Sequence, residues 1–411
     1  MIRRNIIDNI LTSLGDTPVV FINGARQTGK STLVKYIAEE KHPASYLTFD
    51  EASVLAGAKE SPQDFIDSLP IPVVIDEVQR VPEIFLAIKR RVDSDRMPGS
   101  FILTGSANVL LLPKVSESLA GRVEIITLWP FSQGELLGKQ EKFVDLLFHS
   151  DFKIQPPASY PSMDIFESAI KGGYPEITIR KDISRKSAWF DAYITTILQR
   201  DVRDMSNIEG LTELPKLLSI LAARSGSLLN FADLSRNVKI PQTTLKRYLT
   251  LLQTTFLAQP VPAYFININK RFTKAPKIFL NDSGLLSYLL DIHPYRFEKE
   301  RHLVGALVEN FVVMELIKQI TWNEIRPKIY HYRLQTGQEV DVVLEDRRGN
   351  LVGIEIKSAK SVNRKFFKGL RHLQETFSKK FLRGIVLYTG DKLIPFGKNL
   401  FAVPIEFLWR H

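Results

Sequence analysis

The stretch Gly24-Ala25-Arg26-Gln27-Thr28-Gly29-Lys30-Ser31 decides the reading of the N-terminal part of this chain. It fits the pattern G-x-x-x-x-G-K-[ST], and its surroundings fit too: an apolar run, Pro18 to Asn23, precedes it, and helical spacing begins at Lys30. In such a setting the backbone N–H groups of the loop and of the helix N-terminus wrap phosphate oxygens, and the glycines permit close approach. Gly24, Ala25, Arg26, Gln27, Thr28, Gly29, Lys30, Ser31 and Thr32 are therefore the expected nucleotide-binding residues. Lys30 would bring charge to the β and γ phosphates. The Ser31 hydroxyl would be an oxygen ligand for Mg²⁺, a hard cation.

Outward from the loop, residues up to about Leu128 repeat a short β-rich run, a polar loop and a helix-like stretch, as expected of an α/β sheet covered on both faces. The runs are Pro18 to Asn23, Ser45 to Asp50, Val73 to Asp76, Ser100 to Thr104 and Val123 to Leu128; the helical patterns are Lys30 to Glu39 and Glu83 to Asp95. Val73-Val74-Ile75-Asp76-Glu77 is an apolar strand ending in two acids. Beside a phosphate loop, Asp76 is expected to hold the metal through water and Glu77 to polarise the attacking water. The run Phe101 to Leu103 leads into Thr104-Gly105-Ser106, which resembles the sensor position of AAA-type ATPases. Those proteins insert a strand between the phosphate-loop strand and the acidic strand, as Ser45 to Asp50 would do here. Thr104 and Ser106 are the sensor candidates, with a helix N-cap the other reading of Ser106. Arg122, in Ala120-Gly121-Arg122, resembles an arginine supplied across a subunit boundary to the transferred phosphoryl group. Arg200 is a second candidate, which a helix-surface ion pair would explain equally well.

A chain of 411 residues predicts more than one domain, and 44% apolar with 24% charged residues is globular composition. With no cysteine, disulfides, thiol nucleophiles and Cys-ligated zinc are excluded, so any metal should be held by oxygen. Asp8 interrupts the apolar stretch that a signal peptide would need, and no run is long and apolar enough for a membrane span. A cytoplasmic protein without a membrane partner is the expectation. The formal charge of +10 favours a polyanionic partner, because Lys and Arg neutralise phosphates.

The rhythm breaks at Gln140 to Pro161, read as a loop. Helical patterns at Asp164 to Lys171 and Lys186 to Val202 predict a lid or linker. Three helices follow, Leu214 to Ala223, Phe231 to Asn237 with Asn230 as N-cap, and Pro241 to Thr254, and then a basic hairpin around Asn269-Lys270-Arg271-Phe272-Thr273-Lys274. That order suggests a winged helix. Lys270, Arg271 and Lys274 could lie on DNA phosphates, although such modules also serve packing. Farther on, a helix from His302 to Ile320 precedes strands Lys328 to Arg333, Glu339 to Glu345 and Leu351 to Ile356, a helix Phe366 to Phe377 and a strand Gly384 to Tyr388. Asp341 on one strand, with Glu355 and Lys357 on the next, puts two carboxylates and an amine at one sheet edge, because residues two apart share a face. Glu309 could add a third carboxylate. Such a set can hold Mg²⁺ and activate water, or Glu355 and Lys357 can be a plain surface ion pair.

The order from His302 to Tyr388 resembles the PD-(D/E)XK nuclease fold. Nearly the whole chain resembles bacterial and archaeal AAA-type ATPases that join such a domain to a winged helix, through Gly24 to Lys30, Asp76-Glu77, Leu103 to Ser106, Ala120 to Arg122, Gln199-Arg200-Asp201, and Glu339-Val340-Asp341 with Glu355-Ile356-Lys357. The resemblance implies an α/β chain with an ATPase domain at 1–165, a helical lid at 166–208, a winged helix at 209–292 and a nuclease-like domain at 293–411. It implies ATP or ADP with Mg²⁺ as cofactors, nucleic acid as partner with DNA ahead of RNA, and a homo-oligomer if Arg122 acts across subunits. Catalysis would rest on Lys30, Glu77, Thr104, Ser106 and Arg122 at one site and on Asp341, Glu355 and Lys357 at the other, with metal on Ser31, Asp76, Glu309, Asp341 and Glu355. The alternative is a nucleotide-controlled switch whose C-terminal domain binds nucleic acid or protein without cutting.

Overall fold

Short β-branched runs separated by amphipathic helices cannot bury both faces except as a parallel sheet with helices on each side. The computed structural model, which describes residues 2–107, 119–152, 164–201, 213–293 and 300–410, has that arrangement in its N-terminal part. Strands β1 (Val19–Asn23), β2 (Ser45–Thr48), β3 (Val73–Asp76), β4 (Phe101–Gly105) and β5 (Val123–Thr127) form a parallel sheet in the order β2-β3-β4-β1-β5. Every residue of β1, β3 and β4 is buried. On one face Val19, Phe21, Val73, Ile75, Phe101 and Leu103 meet Ile84, Phe85 and Ile88 of the helix Ile84–Ser94, each contributing about 1.5–3 kcal/mol of burial. The helix Lys30–Glu40 buries Leu33, Val34 and Ile37 and contacts β3 and β4.

Ser45–Thr48, expected between the phosphate-loop strand and the acidic strand, instead forms the sheet edge, and β4 occupies the middle place. Its half-buried residues suit an edge. Parallel register brings the carboxyl ends of β1, β3 and β4 together, with Asn23 opposite Gly105 and Ile75 opposite Leu103. That end of an open sheet is where ligands bind. The helices Ala52–Glu60 and Pro62–Ser68 carry one fully buried residue each, Ala58 and Ile66, and so lack the periodicity that would announce them.

Contacts divide the chain into two compact units, Arg4–Pro130 with Thr250–Leu257, and Met1–Arg3 with Phe131–Leu249 and Ala258–His411. In the second, Phe143–Phe148 is a helix burying Phe143, Val144 and Leu147, inside the stretch expected to be a loop; Pro157 to Ser162 lie outside the described residues. The helices Ile165–Lys171 and Ile183–Thr196 are capped by Asp164 and Asp182. The helices Leu214–Ala223, Phe231–Val238, capped by Asn230, and Gln242–Thr254 follow. Strands β6 (Ala258–Val261) and β7 (Lys277–Leu280) pair antiparallel, but the basic segment between them is a short helix, Ile268–Thr273.

The helix Arg301–Trp322 precedes a sheet of β8 (Lys328–Arg333), β9 (Glu339–Glu345), β10 (Leu351–Lys357), β11 (Phe381–Tyr388), β12 (Ile394–Gly397) and β13 (Leu400–Pro404), ordered β12-β13-β11-β10-β9-β8. β10, β11 and β13 run parallel, and the remaining pairs are antiparallel. The helix Lys368–Thr376 approaches the start of β9 so closely that a Cβ on Gly369 would lie 1.8 Å from the Glu339 carbonyl oxygen. This contact fixes the strand end that carries Glu339 and Asp341. No described helix is long and apolar enough to cross a membrane.

Candidate functional site

β1 ends at Asn23, and the chain turns at Gly24 with φ +150°, where a Cβ would stand 2.2 Å from the Leu128 carbonyl oxygen. Only glycine fits there. Gly29, with φ +94°, precedes the helix Lys30–Glu40, whose N-terminus has no side-chain cap. The start of a helix presents N–H groups in a direction that suits an anion. Lys30 is 4% exposed, and its Nζ donates to the Gly24 and Ala25 carbonyl oxygens, both at 2.9 Å. Thr28 Oγ1 donates to Ala25 O at 2.9 Å, so this side chain braces the loop. Ser31 is half-buried, while Gln27 and Thr32 are exposed.

Two features of the loop's surroundings were invisible in the sequence. The buried Arg4 guanidinium donates to Thr28 O at 2.9 Å and to Trp129 O at 2.6 Å, tying the loop to the segment after β5. Asn23 is buried at the strand end, and among the described residues neither atom of its amide has a hydrogen-bond partner. An unsatisfied buried amide is costly, and one beside a phosphate loop is a donor in reserve.

Asp76, at the end of β3, is buried; its Oδ2 accepts from Tyr46 Oη at 2.7 Å and its Oδ1 from Thr104 Oγ1. Burial, then the hydrogen bond to Asp76, holds the Tyr46 phenol far above its ordinary value, so it stays a donor. Glu77 has φ +60°, and its N–H donates to Thr104 Oγ1 at 3.2 Å. Gln79 Nε2 donates to Glu77 Oε2 and, at 3.0 Å, to Ser106 Oγ. The sensor candidates therefore stand beside the acidic pair: Thr104 bridges Asp76 and Glu77, and Ser106 reaches Glu77 through Gln79. The donor set fits a nucleotide with a hard cation, with a lysine and an uncapped helix start for phosphate, and the Ser31 hydroxyl and Asp76 carboxylate for Mg²⁺. Arg122 lies apart, paired with Asp93 and donating to Ala120 O at 2.9 Å. The Arg200 side chain lies outside the described residues.

The second constellation assembles differently from expectation. Glu339 and Asp341 share a face of β9, and Glu309 approaches from the helix Arg301–Trp322, yet all three converge on Lys277 of β7. Its Nζ lies 2.9 Å from Glu309 Oε1, 3.0 Å from Glu339 Oε1 and 3.2 Å from Asp341 Oδ1. Burial opposes the charged lysine, but Asp341, Glu309 and Glu339 outweigh it and raise the Lys277 pKa. Burial, and then the Asp341 charge, push Glu309 up to about 7 and Glu355 up to about 8. Asp341 Oδ2 also accepts the Ile356 N–H at 2.9 Å, past the end of the β9–β10 ladder at Ile354. Glu355 Oε1 pairs with Lys357 Nζ at 2.6 Å. Glu309 and Asp341 of the expected metal set thus face Lys277, Glu355 faces Lys357, and among the described residues no group of three or more His, Cys, Asp or Glu is arranged to hold a metal.

The basic segment also departs from expectation. Lys270 and Lys274 are exposed, but the Arg271 guanidinium binds Glu345 at 2.6 and 3.1 Å and donates to Tyr330 Oη at 2.9 Å. It packs on the Tyr264 and Tyr330 rings. Arg271, a candidate phosphate contact, is thus held by Glu345 and two tyrosines in this structure.

Residues 16–137 match the family described as AAA domain, while residues 163–296 and 304–408 match two described as domains of unknown function, DUF8612 and DUF4143. "Uncharacterized protein Rv2008c" of Mycobacterium tuberculosis is 30% identical over 98% of this chain and 84% of its own length. "Uncharacterized protein MJ1544" of Methanocaldococcus jannaschii is 25% identical over 81% of this chain and 73% of its own. Among solved structures, the Thermotoga maritima RuvB Holliday junction branch migration motor aligns with 63% of this chain and 89% of its own at 18% identity, with a TM-score of 0.29, too low for structural equivalence to follow. The near full-length identity to the mycobacterial protein shows that the chain belongs to that protein's family, and its N-terminal part is an AAA P-loop domain.

Proposed function

We propose that this protein binds and hydrolyses ATP with Mg²⁺ at the loop Gly24–Lys30 and couples its nucleotide state to a nucleic-acid-binding C-terminal half. The observation that carries the ATPase reading is that Lys30 and Ser31 follow the carboxyl end of β1 while Asp76 and Glu77 lie at the carboxyl end of β3, on the same side of one parallel sheet with β4 between them. Bound Mg²⁺–ATP would supply the electrophilic phosphorus and the metal charge. Lys30 would turn from the Gly24 and Ala25 carbonyls to phosphate oxygens, and Ser31 and, through water, Asp76 would hold the metal. Tyr46 and Thr104 keep the Asp76 carboxylate oriented, and Glu77 takes up a water proton after release from the Gln79 amide. Arg122 serves a neighbouring subunit only after leaving Asp93. Replacing Lys30 with Ala should abolish ATP turnover; full activity in that variant would remove the site.

The domain limits at 165, 208 and 292, the winged-helix reading of the middle helices with β6 and β7, and the nuclease-like reading of the C-terminal sheet belong to the same proposal. They are supported by the element order and by the formal charge of +10. A second reading, a switch whose C-terminal half binds without cutting, is favoured by the lysine-filled acidic cluster. Incubation with DNA or RNA plus Mg²⁺ or Mn²⁺ separates the two: cleavage that Asp341→Ala removes supports the nuclease, and binding without cleavage supports the switch.

A further inference from the structure

Three carboxylate oxygens, from Glu309, Glu339 and Asp341, surround the Lys277 ammonium at 2.9–3.2 Å, and the ammonium donates to Glu309 and Asp341. The side chain is 2% exposed. Its backbone is equally committed, because Lys277 pairs with Val261 of β6 on one side and forms a bridge to Leu228 on the other. The turn at Gly226, with φ +78°, lies against the same cluster, where an added Cβ would stand 2.9 Å from Glu309 Oε2. The middle part of the chain thus delivers a cation into the acidic edge of the C-terminal sheet, and delivers it on a paired strand.

A divalent ion bound to these oxygens would sit about 2.0–2.6 Å from each of them, which is space that the ammonium fills. We propose that Lys277 is a built-in cation that closes the Glu309–Glu339–Asp341 cluster to divalent metal, so that metal enters only when β7 withdraws or the lysine is lost. The inference rests on the C-terminal half of the proposed function and is independent of the ATPase reading. It makes the seating of β7, rather than the supply of metal, the event that governs chemistry at Asp341, Glu355 and Lys357. Arg333, 3.4 Å from Glu339, and Lys357, 3.8 Å from Asp341, flank the cluster without filling its centre.

The test is Mn²⁺ binding to the full-length, nucleotide-free protein, read by electron paramagnetic resonance with and without Asp341→Asn. The wild type should bind no Mn²⁺ that Asp341→Asn removes. Lys277→Ala should gain one equivalent, at least 100-fold tighter than any wild-type binding, and lose it when Asp341→Asn is added. Lys277→Ala with Glu339→Gln removes one charge of each sign, keeps Glu309, Asp341 and Glu355, and serves where the single variant does not fold. A wild-type Mn²⁺ site that depends on Asp341 would overturn the proposal, as would a folded Lys277 variant that gains none. Nucleic-acid binding and cleavage, which test the C-terminal reading, are measured separately on the same variants: a Lys277→Ala protein that gains the Mn²⁺ site but binds no nucleic acid removes that reading and leaves this inference standing.

Discussion

Replacing Arg4 with Ala removes a guanidinium that donates to Thr28 O at 2.9 Å and Trp129 O at 2.6 Å and is itself 5% exposed. Hydrogen bonds from a charged donor are worth about 1.5–3 kcal/mol each, so two set an upper range of roughly 3–6 kcal/mol. Partial relaxation of the loop and entry of water reduce this to an expected loss on the order of 3 kcal/mol. At about 2–4 °C per kcal/mol for a unit of this size, the melting temperature of the N-terminal unit should fall by roughly 6–12 °C. Because Thr28 belongs to the phosphate loop, part of the loss should appear in nucleotide binding. A tenfold weaker ATP affinity corresponds to about 1.4 kcal/mol. Differential scanning fluorimetry and steady-state ATP hydrolysis together read both effects, with KM for ATP rising more than kcat falls. Arg4→Lys can replace one of the two bonds and should lie between. Unchanged melting temperature and unchanged KM in Arg4→Ala would refute the idea that this guanidinium shapes the loop.

Tyr46→Phe deletes the 2.7 Å hydrogen bond to Asp76 together with the hydroxyl's contact to Thr48 and should cost several-fold in kcat and raise the Mg²⁺ concentration needed for half-maximal rate, since about 1–2 kcal/mol is at stake; an unchanged Mg²⁺ titration would exclude the role. Arg271→Ala breaks the bidentate contact to Glu345, so unfolding titrations should show a loss of about 3 kcal/mol, while the salt dependence of nucleic-acid binding stays the same; a shallower salt slope would instead place Arg271 on phosphate. Glu141 is pushed up to about 8 from its ordinary 4.5 by burial and by the Glu315 and Glu135 carboxylates. The folded state therefore keeps a proton that the unfolded state releases, and stability contributed below the unfolded value is lost as pH rises towards 8 and is flat above it. Glu141→Gln should flatten urea midpoints across that window, by on the order of 1.4 kcal/mol for each unit of pKa shift removed; an undiminished slope would assign it to other groups.

The phosphate loop was legible because its information is local: strand, glycines, lysine and helix fall within consecutive residues. The acidic strand end was legible for the same reason. Arg4 was not, because its partners lie 24 and 125 residues away, and nothing in Arg3-Arg4-Asn5 distinguishes a loop brace from a solvated basic start. Tyr46 stands 30 residues from Asp76 and becomes its partner only because β2 pairs with β3 at the sheet edge. In the C-terminal half, the two-residue period put Glu355 and Lys357 on one face near Asp341, and it left Glu339 unnoticed. It could not disclose Lys277, 64 residues before Asp341 and on a strand of another motif. The strands β12 and β13 escaped because Pro395, Gly397 and Pro404 interrupt them, as such residues do near sheet edges and strand ends.

Lys30 and Lys277 are both almost fully buried ammonium groups, and the nature of their partners separates their roles. Lys30 donates to two neutral backbone carbonyls. A phosphate oxygen carries full negative charge and makes a stronger, shorter bond to the same donor, so an incoming nucleotide displaces those carbonyls downhill. Lys277 already faces three carboxylates. No neutral ligand competes with them, and a divalent cation must first remove an ammonium whose strand is held by hydrogen bonds on both sides. The same residue type therefore leaves one site open to an anion and keeps the other shut to a cation. A nucleotide effect on the C-terminal half would consequently have to act through the position of β7, and Mn²⁺ uptake at Asp341 measured with and without ATP would register it directly.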